Sequence, residues 1–150
     1  MKKILTLIGV LICFLGFGQF GTDVFTIGSD NASNYGGSWT NGSTQGSGFW
    51  AWTLSSSGAA GHYIGGTGQG GTSFGIYSDG FGAFAYGERN LSSDLKKGET
   101  ISFDLGHTAT INGEIFMQLL DDGAPVFTLK FVGGGTNWLI NDGGVDFSSG

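Results

Sequence analysis

Hydrophobic and polar residues alternate over short stretches of this chain, as they do in β-strands that bury one face. Thr100–Leu105 and Pro125–Val132 both place large apolar side chains at alternate positions. Turn dipeptides such as Asp122-Gly123 separate these stretches. No long window has apolar residues at helical spacing, and 31 of the 150 residues are glycine, which is unfavourable inside a helix. The pattern predicts an all-β protein.

The alternation and the turn signals together mark out a set of short strands. The predicted strands are Val24–Ile27, Gly48–Leu54, Ser73–Ser78, Phe81–Glu88, Thr100–Leu105, Glu114–Leu120, Pro125–Val132 and Asn137–Asn141. His62–Ile64 is either a short edge strand or a loop. Because Glu114–Leu120 is apolar on both sides, it is predicted to lie centrally with both faces covered. Short strands with no helices between them favour an antiparallel β-sandwich.

The first 18 residues have the layout of a cleavable secretory signal peptide. Met1–Lys3 is a positive segment, and Ile4–Phe17 is an apolar run. A membrane-spanning helix needs roughly 20 apolar residues, so the run is short for a permanent anchor, which is the alternative interpretation. We predict a signal-peptide helix that is cleaved after Gly18, with no transmembrane segment afterwards and a secreted or cell-surface location. Cys13 lies inside the apolar run, which argues against a lipoprotein.

Cleavage changes the composition of the chain. It removes the single cysteine, so the exported domain cannot depend on disulfides. It also removes Lys2 and Lys3, leaving twelve acidic residues against four basic ones, a formal charge of 4 − 12 = −8. Nucleic acid is therefore not an expected partner, because an acidic chain with few cations repels polyanions.

The chain divides into three regions by composition. Residues 1–18 are the signal peptide, residues 19–47 form a polar N-terminal arm with one short strand, and residues 48–150 form the sandwich domain. The last residues, 145–150, resemble the beginning of a strand, so we expect the domain to be truncated at its C-terminus.

No arrangement of residues in these 150 positions predicts an enzyme. Glycoside hydrolysis needs two facing carboxylates, whereas Glu88, Glu99 and Glu114 each stand alone on their segments and are expected to face solvent. A serine nucleophile needs a histidine base, but His62 and His107 lie in no recognisable motif and are expected at the surface. Zinc is not supported either, because two separated histidines without cysteine do not make a usual ligand set.

Aromatic side chains are the first candidate for binding. The flat face of a sugar can stack on an exposed ring, and the candidate ligand-binding residues are Trp39, Tyr63, Trp50 and Trp52. Trp39 and Tyr63 have glycine or polar flanks and are expected to be exposed. Trp50 and Trp52 can equally fill the core of a sandwich, which is the more common role of tryptophan there.

Loop carboxylates are the second candidate. Asp121, Asp122, Asn141 and Asp142 lie in predicted turns, where their oxygens could converge on calcium, the only cofactor that the sequence suggests. The alternative is that Asp-Gly and Asn-Asp-Gly simply build tight turns.

Four segments of the chain, in their order, resemble a known family. They are Ser73–Tyr77, Leu95–Asp104, Phe127–Gly134 and Trp138–Gly143. Together, over residues 73–143, they look like the concanavalin-type jelly-roll modules of secreted bacterial proteins, which are similar to lectin and laminin-G domains. The resemblance implies a jelly-roll sandwich that binds glycans or acts as a passive spacer, sometimes with calcium. No ligand-binding signature of that family maps onto particular residues of this chain.

The functional expectation is a secreted or cell-surface, non-catalytic module that binds a polysaccharide, a cell-surface glycan or extracellular matrix. One alternative is an accessory domain of a secreted polysaccharide-degrading enzyme whose catalytic part lies beyond residue 150. A second is a structural or adhesive surface protein without a specific small ligand.

Overall fold

The chain forms short antiparallel strands with almost no helix. The computed structural model describes residues 26–68, 71–107, 112–143 and 146–148. Over these residues the strands are β1 (Thr53–Ser57), β2 (Ala60–Gly68), β3 (Gly71–Ser78), β4 (Phe84–Glu88), β5 (Glu114–Asp121), β6 (Ala124–Val132), β7 (Trp138–Asn141) and β8 (Asp146–Ser148). All strand pairs are antiparallel, which confirms the predicted all-β class.

The only helix in the described residues is a 3-10 turn, Ala32–Tyr35, in the N-terminal arm. The side chain of Asn31 caps this turn by accepting a hydrogen bond from the amide of Ser33. No helix in the described part of the chain is long and apolar enough to cross a membrane. The predicted signal peptide, residues 1–18, lies outside the described residues.

The strands β1 to β4 are two parts of one antiparallel ribbon that bends once. β1 pairs with β4, and β2 pairs with β3, so the chain runs out along β1 and β2 and returns along β3 and β4. At the bend, residues 58–59 face the longer segment 79–83, and the amide of Asp79 donates to the carbonyl of Ala59. Because β2 and β3 also contact β4, the ribbon folds back over itself and encloses a core.

The strands β5 to β8 form a separate four-stranded sheet in sequential order. A two-residue turn, Asp122-Gly123, joins β5 to β6. Both turn residues have positive φ, 47° and 79°, as a tight hairpin turn requires, and glycine adopts that conformation without steric cost. One face of the sheet carries the half-buried apolar residues Ile115, Met117 and Leu129.

Two predictions about strands are wrong over the described residues. β5 lies at an edge of its sheet, not in the centre, and Phe116 and Leu120 on its second side are exposed. Residues 100–105 form no strand, although their pattern alternates, and Ile101 and Phe103 are exposed. Alternation favours an extended backbone, but a strand also needs a neighbouring strand to accept its hydrogen bonds.

The predicted Ser73–Ser78, Phe81–Glu88, Glu114–Leu120, Pro125–Val132 and Asn137–Asn141 are found as strands with shifted ends, whereas the predicted Gly48–Leu54 overlaps β1 only at Thr53 and Leu54. The prediction His62–Ile64 lies within the nine-residue strand β2, which settles the choice between strand and loop. The predicted Val24–Ile27 lies partly outside the described residues, and its residues 26 and 27 are not in a strand.

Candidate functional site

A buried ion pair attaches the N-terminal arm to the folded ribbon. The side chains of Asp30 in the arm and Arg89 at the end of β4 are both nearly inaccessible to solvent, and Arg89 Nη1 donates to Asp30 Oδ2. Arg89 Nε and Nη2 donate to the carbonyl of Trp50 at 3.0 and 2.7 Å. The planar guanidinium therefore bonds at once to the segment before β1 and to the arm, and its fork of N–H donors suits this better than the single ammonium of a lysine.

Polar side chains around Asp30 complete this cluster. The hydroxyl of Tyr35 donates to Asp30 Oδ2 at 2.8 Å and accepts from the indole Nε1 of Trp52 at 2.9 Å. Burial raises the pKa of the Tyr35 phenol, and the hydrogen bond to Asp30 raises this pKa further. Oδ2 of Asp30 thus accepts from three side-chain donors, and Oδ1 accepts from the amide of Asn31, as a buried carboxylate requires. The hydrogen bonds of this cluster hold the N-terminal arm against the ribbon, so the cluster has a structural role.

Four rings pack together beneath the ribbon and form what we call the aromatic core. They are Tyr35, Trp39, Trp52 and Phe74, with ring centroids 4.9 to 5.4 Å apart. Trp39 also contacts the ring of His62 edge-on at 5.4 Å. His62, which is expected at the surface, is half-buried: one side of its ring contacts the core, and its Nε2 lies 2.8 Å from the carbonyl of Tyr86.

The burial of two tryptophans is the reverse of what their sequence flanks predict. Trp39, expected to be exposed, is 8 % exposed and lies in the aromatic core. Trp50, expected to be able to fill a core, is 65 % exposed. Trp52 is half-buried and bonded through its indole N–H, in agreement with the core alternative. Among the four predicted ligand-binding rings, Tyr63 and Trp50 are therefore the ones that are open to solvent.

Tyr63 is half of an aromatic surface on the outer side of the β2–β3 hairpin. Because Tyr63 pairs with Gly75 and Tyr77 pairs with Gly61, the two tyrosines project from the same face. Their ring centroids are 6.3 Å apart, and they are 38 % and 48 % exposed. We call this surface the tyrosine platform, and it consists of Tyr63, Tyr77, Gly61, Gly65 and Gly75.

The glycines of the platform explain why its rings lie against the sheet. A Cβ atom added to Gly75 would be 2.1 Å from Cζ of Tyr63, and one added to Gly65 would be 2.8 Å from Cε2 of the same ring. A Cβ atom at Gly61 would be 2.9 Å from the hydroxyl of Tyr77. Each ring thus covers a cross-strand glycine and stays partly exposed to solvent, an arrangement that also compensates for the weak strand propensity of glycine.

The ligand-binding residues predicted from the sequence include Tyr63 but not Tyr77. The signal was present as an alternation of glycine and tyrosine at Gly61, Tyr63 and Gly65, and again at Gly75 and Tyr77. That signal has meaning only when the register of the hairpin is known, because the register decides that each tyrosine lies opposite a glycine.

The predicted calcium residues are placed in turns. Asp121 is the last residue of β5, and Asp122 is the first residue of the β5–β6 hairpin turn. In a second turn, the side-chain oxygen of Asn141 accepts from the amide of Gly143 at 2.9 Å, next to Asp142. Over the described residues, no three side chains of the His, Cys, Asp or Glu types come together as a metal site. The calcium site therefore stays a prediction from the sequence.

A second surface feature is a shallow groove of about 310 Å³ on the four-stranded sheet. Its lining residues are Glu114, Phe116, Gln118, Thr128, Lys130, Leu139 and Asn141. Phe116 is 53 % exposed, and Lys130 lies 3.8 Å from Glu114. The groove thus carries a single exposed ring, whereas the platform carries two that are held against glycines.

No family model, curated protein or solved structure matches this chain. The geometry of the described residues is therefore the basis for a function.

Proposed function

We propose that this protein is a non-catalytic carbohydrate-binding module and that the tyrosine platform is its binding surface. One observation carries the proposal: two solvent-facing tyrosine rings lie next to each other and flat against the β2–β3 hairpin, each over a glycine. A pyranose ring has one or two faces made mainly of C–H groups, and these stack on the exposed face of an aromatic ring. Two neighbouring rings offer contacts to successive sugars.

The platform is held in its orientation before a ligand arrives. Tyr63 is confined by the backbone of Gly75 and Gly65, and Tyr77 by that of Gly61. A side chain that is already confined loses little conformational entropy when a ligand binds, so more of the contact energy remains as affinity. The phenolic hydroxyl group of Tyr77 can exchange hydrogen bonds with sugar hydroxyls.

The proposal also covers where the protein is located and the detailed arrangement of its strands. The positive and apolar segments of residues 1–18 support export through a cleaved signal peptide, which would bring the platform into contact with extracellular glycans. The alternating strands and the resemblance over residues 73–143 support a jelly-roll sandwich in which the described sheets take part.

A glycan array tests the proposal when it is combined with three variants of the full chain. We expect saturable binding to at least one glycan, and we expect Tyr63→Ala and Tyr77→Ala to weaken that binding by tenfold or more, a loss of about 1.4 kcal/mol or more. Phe116→Ala is the matched control, because it removes an exposed ring of similar size from the other sheet.

The outcomes separate the site from the function. Binding that is lost in Phe116→Ala but kept in both tyrosine variants would move the site to the groove on β5–β7. Binding that is lost only in Trp50→Ala would move it to the segment before β1. Failure of the unmodified chain to bind any glycan would remove the proposed function and favour a structural surface protein.

A further inference from the structure

We propose that the platform selects a single, neutral glycan chain, and that it rejects both anionic glycans and the flat faces of crystalline polysaccharides. This inference rests on the proposed function and specifies the ligand class of the same surface. Two independent features carry it: the absence of charged residues from β2 and β3 and the angle between the two rings.

The hairpin that carries the platform has no charged side chain. Neither β2 nor β3 contains an aspartate, glutamate, lysine or arginine. Its titratable group other than the tyrosines is His62, which projects from the opposite face of the hairpin toward the aromatic core. No cation on the hairpin is thus available to pair with a carboxylate or sulfate group of a ligand.

The rest of the protein adds to the rejection of anions. The chain has a formal charge of −6, and the negative face of an aromatic ring also disfavours an anion stacked on it. A uronate or sulfated sugar would therefore lose hydration at the platform without gaining an opposite charge. A neutral sugar meets no such penalty.

The angle between the two rings determines the shape of the ligand. Tyr63 and Tyr77 are inclined to each other by 48°. The two strands of a ribbon are twisted relative to each other, so rings that follow the sheet surface do not lie in one plane. Chains in a crystal face present their sugars in one plane and cannot stack on both rings at once. A free chain can rotate about its glycosidic bonds and turn successive sugars to meet each ring.

The glycines of the platform act as positioning residues, and Gly66, which lies in the same hairpin outside the platform, gives a matched control. Gly75→Ala places a methyl group where the Tyr63 ring lies, so the ring must swing away from the sheet. Gly66→Ala changes the same hairpin at a position where no atom lies within 4 Å of the added Cβ. We expect Gly75→Ala to bind the neutral chain roughly tenfold more weakly, equivalent to about 1.4 kcal/mol, and Gly66→Ala to bind normally.

A double variant distinguishes positioning from general damage. If Gly75 acts by holding the ring of Tyr63, then Gly75→Ala combined with Tyr63→Ala binds like Tyr63→Ala alone, because the two changes remove one interaction. Additive losses would show that the alanine at position 75 disturbs the hairpin as a whole. Thermal unfolding of each variant monitors the fold in parallel.

The ligand class is tested by comparing three kinds of polysaccharide on the full chain. The soluble neutral set contains glucans, mannans, unsubstituted xylan and galactans, the crystalline set contains cellulose and chitin, and the anionic set contains polygalacturonate and alginate. We expect binding to at least one soluble neutral chain, with at least tenfold weaker binding to every crystalline and anionic polymer.

Each contrary result overturns a different statement. Equal or stronger binding to an anionic polymer overturns neutral selection, and equal or stronger binding to a crystalline polymer overturns the single-chain geometry. Both results leave the carbohydrate-binding function standing. Failure to bind any polymer in the three sets overturns this inference together with the proposed function.

Discussion

Asp30 and Arg89 lie 59 residues apart in the chain, and their side chains form a buried ion pair. The pair connects the N-terminal arm to the end of β4, and the guanidinium lies between the rings of Phe49 and Trp52 at 4.8 and 5.0 Å from their centroids. Because this connection positions the arm, it also positions Trp39 of the aromatic core, which supports the inner side of the hairpin that carries the platform.

Breaking this pair is expected to destabilise the protein strongly. Arg89→Met leaves Asp30 as a buried charge without its cation, and we expect a loss of about 3–5 kcal/mol in the free energy of unfolding, measured by urea denaturation. Lys130→Met is the control, since the pair that it breaks with Glu114 is exposed and 3.8 Å long, and we expect a loss of about 0–1 kcal/mol. Equal losses in the two variants would contradict the role of Arg89.

A glycine at position 46, next to Asp30, is expected to be required for full thermal stability. Its φ is +88°, and a Cβ atom would lie 2.7 Å from Oδ1 of Asp30, so Gly46→Ala combines backbone strain with a steric clash. Gly42 has a φ of +85° with no atom within 4 Å of an added Cβ, and Gly42→Ala therefore measures the strain alone, about 1–2 kcal/mol. We expect Gly46→Ala to lower the thermal midpoint further than Gly42→Ala, and the reverse order would show that the site around Asp30 relaxes freely.

Tyr35 is expected to make stability fall at alkaline pH. Its pKa in the folded state is raised above 10.0, its ordinary value, so the unfolded chain loses this proton first. The stabilising contribution of the Tyr35 phenol to the free energy of unfolding is fully present below about pH 10. It is lost as the pH rises from there through the raised pKa of the folded state. Denaturation curves of the parent chain and of Tyr35→Phe should therefore converge as the pH increases above 10. A difference that stays constant with pH would contradict the raised pKa.

Trp39 and Trp50 are expected to differ in their effects on stability. Trp39→Ala empties a volume in the aromatic core and should cost about 3–5 kcal/mol. Trp50→Ala removes an exposed ring and should change the free energy of unfolding by no more than about 0.5 kcal/mol. Chemical denaturation of the two variants checks this order, which is opposite to the one that their sequence flanks suggest.

The calcium hypothesis has its own test. A bound structural ion stabilises the folded state by an amount that grows with the ratio of free calcium to Kd. The thermal midpoint in calcium should therefore exceed that in chelator, and Asp122→Asn together with Asp142→Asn should reduce the difference. Identical midpoints in calcium and in chelator would rule out a tight structural ion at Asp121, Asp122, Asn141 and Asp142.

Several features of the molecule follow from local sequence. The strands β5, β6 and β7 were predicted close to their observed bounds, because alternation and the turn at Asp122-Gly123 are properties of neighbouring residues. The all-β class follows in the same way from the glycine content and from the absence of a helical period. The exposure of Tyr63 was also predicted from its glycine-rich surroundings.

Other features depend on contacts between distant parts of the chain. Trp39 is buried where the arm packs on the ribbon, an arrangement held by the pair of Asp30 and Arg89, and nothing beside Trp39 in the sequence encodes that contact. Residues 100–105 have the alternation of a strand but no partner among the described residues. The tyrosine platform required the register that places Gly75 opposite Tyr63 and Gly61 opposite Tyr77. Local pattern thus determined which segments can be strands, whereas pairing and packing over long sequence separations decided which aromatic rings stay at the surface, because burial depends on what the rest of the fold brings against each ring.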